Sequence, residues 1–184
     1  MSRLTQLTAE TASEEQRELL EGTLKQLGKI PNLYAAMANG PAALRGYLAL
    51  RGALVGGSFG NREREQLALF IAQRNNCTYC VSAHTMRGGK VGLTQDELLA
   101  TRRGTDADPR MDQVLRLTAS MMDTGGRVTD EEIEAAHRAG VTDAEISEIV
   151  AHIALNVLSN YFNHVAQPDL DFPRWTPNTS ASRP

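Results

Sequence analysis

An all-α fold is predicted for this chain of 184 residues, and three features of the sequence predict it. A Thr followed three positions later by Glu recurs at Thr11/Glu14, Thr94/Glu97, Thr129/Glu132 and Thr142/Glu145. That pair forms a capping box, in which hydroxyl and carboxylate satisfy the free N–H groups of a helix start. Glycines stand where such helices would stop, at Gly28, Gly88, Gly89, Gly104, Gly125, Gly126 and Gly140, since glycine enters the left-handed cap conformation without strain. Alternating β-branched runs, the period-two mark of strands, are absent.

In chain order, the first helix opens at Thr11 and runs to about Leu27. The glycine-rich segment from Val55 to Gly60 reads as a mobile loop near the site. Asn61 caps the next helix, where Glu65 shares a face with Ala68, Leu69 and Ala72 and points inward. Glu63 lies nearer Gln66, Leu67 and Arg74 and is expected to be more exposed. Asn75 and Asn76 read as the N-cap of a helix that carries Cys77, Cys80 and His84. Asp108-Pro109 starts another, with proline at the first helical position. The segments Gly92 to Leu98 and Gly140 to Ile146 resemble each other, each a glycine stop, an apolar residue and a capping box. Recurrent helix–turn–helix grammar explains the likeness better than an internal repeat.

The helix from Asp143 to about Val165 is the most apolar, with Ile146, Ile149, Val150, Ile153, Ala154, Val157 and Leu158. The stripe is wider than one core seam needs, so part of it is expected to bury against another subunit. His152, His164, Asn156, Asn160 and Asn163 interrupt it and are expected to satisfy one another in the core. The whole chain, 1–184, reads as one domain with a real core, its tail after about residue 173 extended or disordered. Trp175, the only tryptophan, is expected to pack on the body or on a neighbouring subunit.

The hydrophobic fraction of 41% and charged fraction of 22% are ordinary for a globular protein. A net charge of −3 offers no basic footprint for nucleic acid. No apolar run approaches the ~20 residues of a membrane span, and Met1 to Gln6 lack the apolar core of a signal peptide. No membrane partner is expected, and a cytoplasmic location is. There a Cys-x-x-Cys pair serves catalysis or metal binding more often than a permanent staple.

The chain has two cysteines, and they stand together as Cys77-Thr78-Tyr79-Cys80, with His84 four residues on. At a helix start, free N–H groups and the helix dipole stabilise a thiolate. The spacing puts both sulfurs and the imidazole on one face. Glu65, inward on the preceding helix, is a candidate proton relay; an acid simply partnered by an arginine is the plainer alternative. A pair of small buried hydrophobes, or a zinc site from Cys77, Cys80, His84 and Glu65, are the other readings of the cysteines. Zinc is weakened by the want of a second ligand pair. His137, beside Glu134 and Arg138, reads as solvated.

The run of Glu65, eleven residues, Cys77-x-x-Cys80, three residues and His84 resembles the AhpD-like alkylhydroperoxidase branch of the carboxymuconolactone decarboxylase superfamily. Ile30-Pro31-Asn32-Leu33 with Pro41-Ala42-Ala43-Leu44, and Asn160-Tyr161-Phe162-Asn163-His164 with Asp169-Leu170-Asp171-Phe172-Pro173, extend the likeness over roughly residues 28–173. The resemblance implies an AhpD-like helical fold and a homo-oligomer, a trimer or a hexamer. It implies a peroxidase that reduces organic hydroperoxides with Cys80 as the peroxidatic thiol and Cys77 as the resolving one. Glu65 and His84 would carry the proton. No cofactor is implied, only an external dithiol or lipoyl-type reductant. The best-known members carry a second histidine where this chain has Tyr79, which reads as a packing residue. A redox-sensing or partner-binding module with little turnover, and a decarboxylase-like lyase, are the alternatives.

Overall fold

Capping chemistry sets most helix boundaries. The structure, a computed structural model, describes residues 2–177. Among these residues it contains nine helices and no strand. They are α1 (Glu14–Leu27), α2 (Asn32–Met37), α3 (Pro41–Val55), α4 (Asn61–Arg74), α5 (Thr78–Lys90), α6 (Gln95–Arg103), α7 (Pro109–Thr124), α8 (Asp130–Arg138) and α9 (Asp143–Ala166). Thr94, Thr129 and Thr142 cap α6, α8 and α9 with the expected boxes, and Asp108 caps α7 ahead of Pro109.

Two starts shift. Ser13, paired with Gln16, caps α1, while the Thr11 hydroxyl accepts from the Thr8 amide in the turn before it. Gly60 caps α4, and the Glu63 carboxylate reaches back to the Gly60 amide at 2.7 Å. Glu63 also accepts from Arg110 at 2.6 Å, and its side chain is about as shielded as that of Glu65, 26% against 21% exposed. The expected contrast between the two acids is therefore absent; Arg110 holds Glu63 down and also reaches Glu145 at the start of α9.

Gly28, Gly104 and Gly125 end their helices at positive φ. Gly88 and Gly89 do not; α5 runs through them to Lys90. A Cβ on Gly88 would stand 2.7 Å from Leu98 and 3.0 Å from Leu93. The residue is glycine so that these leucines can close on α5, not to stop the helix.

Helix α4 occupies the centre. Every residue from Gln66 to Gln73 is buried, as a helix enclosed on all sides requires. Leu69 and Ala72 face one apolar cluster, shared with Leu20, Leu44, Val81 and both cysteines. Leu67 and Phe70 face a second, shared with Val114, Leu115, Leu117 and Ile149. Helices α5, α6, α7 and α9 pack around α4. No described helix is long and apolar enough to cross a membrane. On α9, Val150, Leu158, Tyr161 and Val165 remain exposed.

The segment Val55 to Gly60 is tied down rather than loose. Both carboxylate oxygens of Glu148 on α9 accept from the Ser58 amide at 2.9 Å, and Phe59 is buried. At the other end, residues 168–177 run without helix, and Trp175 packs on the first cluster. The Trp175 amide donates to Ser82 Oγ at 2.8 Å, and Arg102 holds the Thr176 carbonyl at 2.6 Å. The rest of the expected extended or disordered tail lies outside the described residues.

Of the polar residues of α9, His152, Asn156, Asn160 and Asn163 are buried and His164 is exposed, and their partners lie mostly on other helices or on the backbone. Asn156 donates to the His152 carbonyl, and Asn160 accepts from Asn75 at 2.9 Å. His152 is 3% exposed, stands edge-on to Phe59, and its Nε2 has no partner. Burial drives its pKa down from 6.5 to about 4; Glu148 opposes the change and Arg64 assists it.

Two predictions follow from packing and burial. Gly88→Ala overpacks the leucines and should lower stability by about 1–3 kcal/mol. Gly89→Ala, with nothing within 4 Å of the new Cβ, should raise it by about 0.5–1 kcal/mol through helix propensity. Denaturant titration reads both, and effects of the same sign would refute the packing role. For His152, the unfolded chain binds the proton first. Stability is therefore fullest above about pH 6.5 and declines as pH falls towards about 4, by up to about 3 kcal/mol. His152→Gln should flatten that slope.

Candidate active site

The site begins at the elbow between α4 and α5. Asn75 closes α4, and Asn76 adopts a left-handed conformation, φ 55°, which asparagine tolerates better than most residues. Helix α9 holds the elbow from outside. Asn75 Nδ2 donates to Asn160, and His164 Nε2 donates to the Asn75 carbonyl at 2.9 Å. The asparagines thus make the turn, and the expected N-cap moves to Cys77 itself. Its Sγ accepts from the Cys80 amide at 3.3 Å.

A sulfur used as an N-cap sits among the free N–H groups that favour negative charge, so the physical basis for a thiolate is retained. Cys77 and Cys80 are joined as a disulfide, with Cα atoms 5.3 Å apart, inside the usual window of about 4.4–6.8 Å. Both are buried, at 1% and 3% exposure. A reductant reaches neither sulfur without local opening.

His84 follows Cys80 by four residues on α5, one turn along the same face. Glu65 crosses from α4 and meets it: Oε2 and His84 Nδ1 are 2.7 Å apart. Burial raises the Glu65 pKa, but the His84 charge and hydrogen bond, with Arg87 and Arg51, outweigh it and hold the carboxyl below its ordinary value. An ionised carboxylate only accepts, so Nδ1 carries the proton and Nε2 is left for chemistry. Glu65 is therefore partnered by a histidine, not by a single arginine.

Among the described residues, no direct hydrogen bond joins Glu65 or His84 to either sulfur. The side chain that touches Cys80 is Asn163 of α9, whose Nδ2 donates to Sγ at 3.1 Å. Its Oδ1 is buried without a partner. Asn163 was not a site residue on sequence grounds. Its signal was the spacing of Asn156, Asn160 and Asn163, a polar row on one face of an apolar helix.

Tyr79 has a structural task. Its hydroxyl donates to Asp171 at 2.6 Å and accepts from the Leu33 amide at 3.2 Å, and its ring packs edge-on against Phe172. Burial and the Asp171 contact raise the phenol pKa, so it stays protonated and tethers the tail to α2 and α5. A cavity of about 210 Å³ lies beside the Glu65–His84 pair, lined also by Arg51, Arg64, Arg87 and His152. The cysteines are not among its lining residues. Among the described residues, no three His, Cys, Asp or Glu side chains are placed to share a metal ion.

Comparison with known proteins agrees with this architecture. The chain is similar to the AhpD core of an uncharacterized peroxidase-related protein from Ralstonia eutropha JMP134, with a TM-score of 0.80, 24% identity, and 92% of each chain covered. It is also similar to an uncharacterized peroxidase-related protein from Silicibacter sp. TM1040, with a TM-score of 0.76 and 20% identity over 92% of this chain and 94% of that one. A third similar structure is the debrominase Bmp8 in complex with 2,3,4-tribromopyrrole, with a TM-score of 0.74 and 15% identity over 93% of this chain and 92% of that one. No curated protein matches the sequence. The structural likenesses establish the fold. The Carboxymuconolactone decarboxylase family matches residues 41–120, the stretch that carries Glu65, both cysteines and His84. Over residues 41–120 the chain is thus similar to the Carboxymuconolactone decarboxylase family, and its helical fold is that of the AhpD-like structures.

Proposed function

We propose that the protein is a thiol-dependent peroxidase and disulfide oxidoreductase that reduces organic hydroperoxides. The observation that carries this reading is a dithiol at a helix start, closed as Cys77–Cys80, one turn from a glutamate-paired histidine. A free thiol, with pKa about 8.5, is mostly protonated at neutral pH. The helix-start amides and the Asn163 amide favour the Cys80 thiolate. Glu65 and His84 take the thiol proton through His84 Nε2, directly or through a water.

The thiolate attacks the terminal peroxide oxygen, the O–O bond breaks, and the alkoxide leaves with a proton as an alcohol. Cys80 is then a sulfenic acid. The Cys77 thiol displaces its hydroxyl as water and closes the disulfide. An external dithiol, lipoyl-type or protein-borne, restores both thiols by exchange and is itself oxidised. The cycle uses no cofactor. Burial of both sulfurs makes the exchange the step that needs local opening. We place the protein in the cytoplasm as a homo-oligomer, a trimer or a hexamer, with the exposed apolar residues of α9 as its contact face.

A second reading is favoured by the cavity. It holds Glu65 and His84 but neither sulfur, as carbon-acid chemistry of the decarboxylase type would use. Peroxide-insensitive turnover of a lactone that survives Cys80→Ser would select it.

Steady-state peroxidase assays with an organic hydroperoxide and a dithiol test the first reading. Cys80→Ser should abolish turnover, and full activity in that variant would overturn the assignment. Glu65→Gln and His84→Gln should each slow turnover by about 10²-fold. Asn163→Ala should lower the alkylation rate of reduced Cys80 at pH 7 several-fold. Asn163→Asp should lower it further, by placing a negative charge against the sulfur.

A further inference from the structure

Arginines of this protein commonly hold carboxylates: Arg45 holds Glu15, Arg62 holds Glu97, and Arg110 holds Glu63 and Glu145. The cavity beside Glu65 and His84 is different. Arg51 from α3, Arg64 from α4 and Arg87 from α5 converge on it. Arg64 donates to the Phe59 carbonyl and the Asn61 side-chain oxygen, both neutral. Arg51 and Arg87 form no direct ion pair among the described residues; their charges act on Glu65 only through space, and Arg87 stands 5.9 Å from the Phe172 ring. Glu65 is the one acid in the lining, and it is engaged by His84.

Three guanidiniums drawn together at a partly shielded cavity repel one another, and an anion between them relieves that repulsion. A second, independent feature points the same way. His152 lines this cavity, is only 3% exposed, and its Nε2 has no partner. A buried ring nitrogen left unsatisfied loses free energy until a ligand supplies the hydrogen bond. The rest of the wall is mostly aliphatic, with Leu54, Val55, Ala68, Val91 and Leu155, beside the polar groups of Tyr47, Asn61 and Asn156. At about 210 Å³, the space far exceeds the ~30 Å³ share of one water.

We propose that this cavity is a binding subsite for an organic carboxylate, so that the hydroperoxide reduced here carries a carboxylate group. The planar guanidinium fork matches a carboxylate in two-point contact. The aliphatic part of the wall takes the carbon skeleton, which a bare inorganic anion would leave uncovered. Glu65 and His84 line the same cavity, so a molecule whose carboxylate is held by the arginines lies against the glutamate–histidine pair. The substrate class rests on the peroxidase reading above; the subsite itself does not.

Two measurements separate them. Calorimetric titration of the oxidised protein with benzoate, benzamide and inorganic phosphate tests the subsite without any turnover. Benzoate should bind saturably and at least about tenfold more tightly than benzamide or phosphate. Arg51→Gln and Arg87→Gln, checked for native thermal melting, should each weaken benzoate about tenfold. Equal binding of benzoate and benzamide, no benzoate binding, or phosphate as the tighter ligand would overturn the subsite. Peroxidase kinetics with a carboxylated aryl hydroperoxide and its methyl ester test the substrate class. The acid should be favoured at least about tenfold in kcat/KM, and Arg51→Gln should bring the ratio towards one. If neither compound is turned over while benzoate binds as expected, the peroxidase reading fails and the subsite stands. If both are turned over equally and benzoate does not bind, the subsite fails and the peroxidase reading stands.

Discussion

The turn from α4 into α5 is the constraint on which the site depends. Only Asn75, Asn76 and Cys77 separate the two helices. With so short a link, α5 must fold back against α4, and the residues facing each other are set by helical spacing alone. Glu65 meets His84 for that reason. Asparagine suits the turn because it accepts the left-handed conformation while its side chain hydrogen-bonds outwards. Both asparagine groups that α9 grips, the Asn75 amide and the Asn75 carbonyl, lie at this one point. Helix α9 therefore supports the thiol helix twice, at the elbow and again through Asn163 at Cys80.

Electrostatics divides the molecule unevenly. Around Arg110 and the starts of α4 and α9, positive and negative charges are matched side chain to side chain. Between α3, α4 and α5 they are not, and the excess is positive. The chain as a whole carries a net charge of −3, so this local excess runs against the overall balance. A segregated charge of this kind contributes nothing to folding and is maintained at some expense in stability. The same region contains His152, kept neutral by burial.

Much of this was legible in the sequence, for physical reasons that can be named. Capping boxes are local, so Thr94, Thr129 and Thr142 announced their helices correctly. The inward turn of Glu65 followed from one helix face, and its pairing with His84 from the short link. What failed to show was whatever depended on distant partners. Gly88 looked like a stop because its reason, the side chains of Leu93 and Leu98, lies on the following turn and helix. Val55 to Gly60 looked loose because Glu148, which holds Ser58, is ninety residues away. Asn163 went unremarked as a thiol partner for the same reason, being 83 residues from Cys80. Tyr79 was rightly seen as packing, although its tie to Asp171 needed the tail to be placed.

The bond between Cys77 and Cys80 closes a loop with a sequence separation of only three. Cross-links steady a protein mainly by restricting its unfolded chain, and the restriction grows with the length enclosed. A loop this small removes few unfolded conformations, worth about 2 kcal/mol in the chain-entropy view against about 4.7 kcal/mol for a hundred-residue loop. The helices around it are held mainly by burial of α4 and by hydroxyl and carboxylate caps, and the sulfur cap at Cys77 serves α5 alone. The protein is thus built so that its covalent link is nearly independent of its architecture. Making and breaking it changes the chemistry at one helix start while the rest of the chain has little thermodynamic reason to respond.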